Sequence, residues 1–228
     1  MFMFNPLYLL LILPALLAWF AQGRVRQVYK KYNAVSNSRG LSGLAAARYL
    51  LAHHGLNDVA VERASGQLTD HYDPQTRTLR LSDGVANAST VTALGIVAHE
   101  VGHAVQHAEG YRFMQARAQM ARWLTQAGRW STLVFIGGIW FGNLILLALG
   151  GVMLAAMVVF AVVTLPVERN ASNRAVAMLD QTGLAVSGEG EGARQVLRAA
   201  AFTYLAALGQ RLATFLFFVA VFGAARVA

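Results

Sequence analysis

The stretch STLVFIGGIWFGNLILLALGGVMLAAMVVFAVVTL, from Ser131 to Leu165, carries no charged side chain. A helix crosses the hydrocarbon core of a bilayer in about 20 residues. The run is too long for one crossing and slightly short for two full ones. Gly137-Gly138 and Phe141-Gly142-Asn143 offer a place to turn. The reading is a tight helical hairpin with arms near 130–142 and 144–165. The first arm can lengthen backwards into Gln126–Trp130, where Trp130 suits the lipid–water interface. A hairpin returns its two flanks to the same side of a membrane, and that constrains the rest of the chain.

Two other apolar stretches lie at 2–22 and roughly 199–228, leaving mixed polarity over 23–130. Apolar residues make up 56% of the chain and charged residues 13%, about half the usual charged share. Both figures point to a membrane protein. The first stretch lacks a basic region before it, and Arg24, Arg26, Lys30 and Lys31 follow it directly. That arrangement predicts an uncleaved anchor rather than a cleaved signal peptide. Of the 19 lysines and arginines, all but Arg226 fall in 23–129 or 169–211. The asymmetry predicts a cytoplasmic location for those segments, an outer hairpin turn and an outer amino terminus. Arg211 is costly in mid-bilayer, so it belongs at the cytoplasmic end of a last span covering about 209–225.

The domain scheme is thus an anchor over 1–22, a cytoplasmic domain over 23–130, the hairpin over 131–165, cytoplasmic helices over 166–208 and a last span over 209–228. The fold class is a mainly α membrane protein with about four transmembrane helices and a small α+β cytoplasmic domain. The net charge of +8 does not indicate nucleic acid, because no basic cluster is interleaved with aromatics. With no cysteine, disulfides and thiolate metal sites are excluded.

Within the polar part, Gly43–His54 has helical spacing. Val59-Ala60-Val61 reads as a short strand. Leu68–Tyr72 and Thr78–Leu81, on either side of Asp73-Pro74-Gln75, read as a β-hairpin closed by Ser82-Asp83-Gly84. Ser89 and Thr90 are candidate N-caps for a helix through Val91–Gly110.

That helix carries His99-Glu100-Val101-Gly102-His103. Residues four apart share one helix face, so two imidazoles reach one ion and Glu100 lies beside it as a general base. The flanking residues Gly95–Ala98 and Ala104-Val105 are apolar. Such a buried helix gains nothing from unpaired polar groups, which argues for a metal site. Catalytic zinc commonly takes three protein ligands. His107 continues the row, yet residues 99 and 107 of one helix stand about 12 Å apart. Glu168, just after Pro166, starts a new polar helix on this reading and returns to the cytoplasmic side through the hairpin. A carboxylate at a solvated helix N-terminus is the ordinary alternative for Glu168.

Several stretches resemble one family. They are Lys31-Tyr32-Asn33, Val35–Gly43, Leu68–Pro74, Leu79–Gly84, His99–Gln106 and Leu165–Ser172. Together they look like the YugP-like neutral zinc metallopeptidases of bacterial membranes, over nearly the whole chain. The resemblance implies zinc, peptidase activity, a zincin-like domain and a gluzincin pattern with Glu168 as third ligand. That pattern places an acid four positions further on, where this sequence has Ser172, which can still hydrogen-bond a ligating histidine.

The expected chemistry is water-promoted peptide hydrolysis, with zinc held by His99, His103 and Glu168 and with Glu100 as base. Candidate oxyanion donors are Tyr204, Arg174, Tyr111 and His71, with His107 at the rim. Thr78, Leu79, Arg80 and Leu81 form either an edge strand for substrate pairing or an ordinary covered strand. Expected partners are a peptide or protein substrate and the lipid bilayer, with no nucleic acid. The expected location is the inner membrane, multi-pass, with the site on the cytoplasmic side. Two rival readings remain: an idle zinc-binding scaffold, and a zinc hydrolase of a lipid or non-peptide amide.

Overall fold

A computed structural model describes residues 9–186 and 188–227. The beginning of the expected anchor (residues 1–8) and the final residue of the expected last span lie outside the described residues. In chain order the elements are α1 (Leu9–Asn33), α2 (Gly43–His53), β1 (Ala60–Ala64), β2 (His71–Asp73), β3 (Thr78–Ser82), α3 (Asp83–Ala86), α4 (Val91–Ala108), α5 (Arg112–Trp140), α6 (Leu144–Gln181) and α7 (Glu189–Val227). The chain divides into two compact units. One comprises Met1–Gln22, Ala116–Leu165 and Thr203–Ala228, and the other Gly23–Gln115 and Pro166–Phe202.

Apolar sequence folds as long helices because a backbone in lipid must satisfy its own N–H and C=O groups. Among the described residues, three helices are long and apolar enough to cross a membrane: α1, α6 and the Glu189–Ala220 part of α7. α5 is not one of them. Arg112, Arg117, Arg122 and Arg129 are spread over more than half of its length. Its uncharged end, 130–140, spans only about 16 Å at 1.5 Å per residue.

The turn between α5 and α6 falls at Phe141-Gly142-Asn143. Gly142 has φ +59°, the left-handed conformation that ends a helix. Asn143 Oδ1 then accepts from the backbone N–H of Ile145 at 2.9 Å and of Leu146 at 3.1 Å, capping α6. The arms touch where side chains are smallest. A Cβ on Gly138 would lie 2.7 Å from the Leu147 backbone nitrogen. One on Gly150 would lie 3.0 Å from the Phe135 Cα. Phe135, Leu147, Leu154 and Phe218 form the buried cluster of this unit.

No new helix begins after Pro166. α6 runs through it without a break, as α1 runs through Pro14. Proline removes one ladder hydrogen bond, but the helix continues on both sides of that gap. In the same way α7 joins the stretch after Glu189 and the expected last span into one helix.

The other unit is built around α4. Thr90 caps it, its hydroxyl accepting from the Ala93 N–H at 3.2 Å. Ser42 caps α2 in the same way through the Ala45 N–H. Leu50, Leu79, Leu81, Val85, Leu94, Val97, Val101 and Leu179 make a core closed to solvent. The Val35–Gly43 segment laces the unit together. Asn37 N–H donates to Ser89 O, Ser38 N–H to Glu189 Oε1 and Arg39 Nε to Gly183 O.

The sheet order is β1-β3-β2, with β1 parallel and β2 antiparallel to β3. The β2–β3 hairpin pairs Tyr72 with Leu79 and Asp73 with Thr78. Asp70 closes it by accepting from Ser82 N–H at 2.8 Å. The edge-strand reading of Thr78, Leu79, Arg80 and Leu81 is therefore corrected. β3 is the central strand with both backbone edges paired, Thr78, Leu79 and Leu81 are core residues, and Arg80 is engaged by Glu62 and Asp73.

Candidate metal centre

α4 is apolar on nearly every side, so its packing decides where its polar residues point. Gly102 decides the closest approach. A Cβ there would stand 2.8 Å from the Ala171 carbonyl oxygen and 3.3 Å from the Ala171 Cα. Only glycine lets α4 and α6 meet backbone to backbone at this level. The approach brings Glu168 and Ser172, one turn apart on α6, against His99 and His103, one turn apart on α4.

His99 Nε2 lies 3.1 Å and His103 Nε2 3.6 Å from the same oxygen, Oε2 of Glu168. The three groups offer ligating atoms within 4.8 Å of one another, a cluster of metal-binding donors found among the described residues. Glu168 and His103 are buried. Bonds of about 2.0–2.1 Å to a tetrahedral ion set ligand atoms about 3.3–3.4 Å apart, so the spacing suits zinc.

The surrounding hydrogen bonds fix what the imidazoles present. Gln106 is fully buried. Its Nε2 donates to Val167 O and Asn170 Oδ1, each at 2.9 Å. Its Oε1 therefore faces His103 Nδ1 at 3.0 Å, which assigns the proton to Nδ1 and leaves the Nε2 lone pair for an ion. Ser172 Oγ stands 3.2 Å from His99 Nδ1 and holds the orientation of that ring. His103 then presents an Nε2 lone pair beside the His99 ring and a carboxylate oxygen of Glu168. Such an arrangement calls for a cation, and the residues fit a zinc ion.

Glu100 points to the strand side. Its Oε2 accepts from the Tyr72 N–H of β2 at 3.0 Å. Burial pushes its carboxyl above the ordinary glutamate value, opposed by the charges of His99 and His103 and reinforced by Glu168.

The remaining candidates separate. His107 is outside the cluster, and its Nδ1 meets the Tyr72 hydroxyl at 2.9 Å. Arg174 is held away by Glu109 at 2.6 Å and by Asn170. His71 is exposed on β2, with Nδ1 2.7 Å from Thr69 O. Tyr111 packs beside Phe113, ring centroids 5.8 Å apart. Tyr204 belongs to the other unit, on α7.

Sequence reasoning passed over Gln106, Asn170 and the Tyr72 backbone as members of the site. A signal for Gln106 was present: it follows His103 by three positions on the same face of an otherwise apolar helix.

A family model described as "Putative neutral zinc metallopeptidase" matches residues 7–223. The chain is 41% identical over 217 residues to a Bacillus subtilis (strain 168) protein named "Putative membrane protease YugP", covering 95% of this chain and 96% of that relative. No solved structure matches the chain.

Proposed function

We propose that this chain, which belongs to the neutral zinc metallopeptidase family, is a membrane-bound endopeptidase cutting cytosolic or juxtamembrane protein segments. The observation that carries the reading is the convergence of His99, His103 and Glu168 with Glu100 one residue from the first ligand. A site kept only for stability has no use for that carboxylate.

His99, His103 and Glu168 would hold the ion, with Gln106 and Ser172 orienting the rings. Zinc bound there supplies Lewis acidity, which polarises a carbonyl and acidifies water. Glu100 takes the proton of the attacking water and passes it to the leaving amine nitrogen. With β3 enclosed, the edge beside Glu100 belongs to β2, whose Tyr72 N–H faces away from β3 and donates to Glu100. An extended peptide laid along that edge brings its carbonyl toward the three-ligand cluster.

We place four crossings in the membrane: α1, α5 with α6 as the hairpin, and the end of α7. α5 is carried by its partner arm and by Trp130 and Trp140, despite its short uncharged end. The domain scheme keeps the anchor, hairpin and last span in the bilayer, with 23–130 and 166–208 as a zincin-like cytoplasmic part at the inner membrane. The charge asymmetry supports this orientation.

The test is Glu100→Gln in purified protein, with casein and a membrane protein as substrates. Cleavage should fall by about 100–10,000-fold while zinc stays bound. Unchanged cleavage contradicts the mechanism. Zinc retained by the wild type without any peptide cleavage favours the scaffold or a non-peptide substrate.

A further inference from the structure

Arg211 has no carboxylate available in its own unit. Every Asp and Glu of the chain lies in the other unit, within Gly23–Gln115 or Pro166–Phe202. A guanidinium on a membrane helix is costly unless it is paired or reaches water. Arg211 is half-buried and lines a cavity of about 300 Å³ between α5, α6 and α7. Thr132, Gln210 and Thr214 share that lining, with Leu154 and Met157 on the α6 side.

The lining supplies donors and no anion. Arg211 brings the five N–H groups of its fork. The Gln210 amide and the Thr132 hydroxyl are exposed beside it. Thr214 is already engaged, its hydroxyl donating to Gln210 O at 2.9 Å. Ser131 is engaged likewise with Gly128 O at 3.2 Å. Gly128 and Met157 approach closely in the lining, a Cβ on Gly128 standing 2.9 Å from the Met157 methyl carbon.

We propose that this cavity binds the phosphodiester of a phospholipid headgroup, clamped by Arg211 and hydrogen-bonded by Gln210 and Thr132. A planar fork matches two phosphate oxygens. The place along the chain fits a lipid. Thr132 and Ser131 open the uncharged run of α5 just after Arg129, and Arg211 precedes the uncharged stretch 212–225 of α7. Both helices therefore enter their uncharged parts at the cavity, while on α6 it stands beside Leu154 and Met157, in the middle of the uncharged run 144–165. Leu154 and Met157 give the acyl chains an apolar wall. The site is independent of the peptidase chemistry, and it predicts a lipid that remains with the protein through purification.

The experiment uses full-length protein, delipidated in a neutral maltoside detergent and examined by native mass spectrometry. The added probes are phosphatidylglycerol, diacylglycerol and inorganic phosphate. Phosphatidylglycerol should bind one per chain, and Arg211→Gln should weaken it by at least about tenfold. Thr132→Val, a milder change, should weaken it less, and Arg122→Gln, an equal loss of charge outside the cavity, should leave it unchanged. Zinc content reports folding of each variant, and if Arg211→Gln does not fold then Thr132→Val carries the test. Equal binding of diacylglycerol would reduce the site to apolar contact and overturn the proposal. Equal retention by Arg211→Gln, or by Thr132→Val where that variant decides, does the same. Displacement of the lipid by millimolar inorganic phosphate would reassign the cavity to the free anion.

Discussion

The two units of this chain solve opposite solvation problems. In one, the largest closed side chains are leucines, Leu50, Leu79 and Leu81 among them, and every Asp and Glu side chain is found there. In the other, apolar side chains turn outward: Trp140 is 82% exposed, Ile145 79% and Val152 69%. Its close contacts are made instead at glycines, at Gly138 and Gly150. Hydrophobic burial organises the first unit. In the second, helices approach through small residues, as they do where the surroundings are themselves apolar. α6 belongs to both, changing from one regime to the other at Leu165 and Pro166.

This contrast can be broken by placing one charge in each setting. Val152→Lys puts an ammonium on the outward face of α6. It should cost about 2.5–3.5 kcal/mol if that face meets lipid, read as a fall in the fraction resisting carbonate extraction. A normal fraction would remove α6 from the bilayer. Gly102→Ala tests the opposite regime, where a close approach lies beside a closed apolar core. The added methyl meets the Ala171 carbonyl and should cost about 1–3 kcal/mol, seen as a lower melting temperature with weaker zinc retention. Leu68→Lys makes the matching charge change on the exposed surface of the unit that holds the metal cluster, where Leu68 is 56% exposed. It should change stability by less than about 0.5 kcal/mol.

What the sequence made legible follows the same division. The turn between α5 and α6 at Gly142-Asn143 was readable because turn chemistry is a local signal. The α4 cap at Thr90 and the histidine pair were readable for the same reason, since periodicity along one helix needs no partner. Strand order was not readable. Nothing in Thr78–Leu81 says that β1 will pair in parallel along its second edge, because that pairing is made by residues about 18 positions away. The continuity of α6 through Pro166 was hidden because proline signals a break locally while the helix persists on either side. Gly102 sat within the motif, yet its role depends on Ala171, a residue of another helix. Gln106 shows the same limit. Its position beside His103 was visible, but its two acceptors on α6 were not.

The central claim is that α4 and α6 together make one three-ligand zinc site. Zinc per chain, measured by elemental mass spectrometry on purified wild type, Glu168→Ala and His107→Ala, tests it most directly. The account predicts one zinc in the wild type, loss in Glu168→Ala and retention in His107→Ala. Full zinc in Glu168→Ala together with loss in His107→Ala would contradict it, and would move the site onto α4 alone.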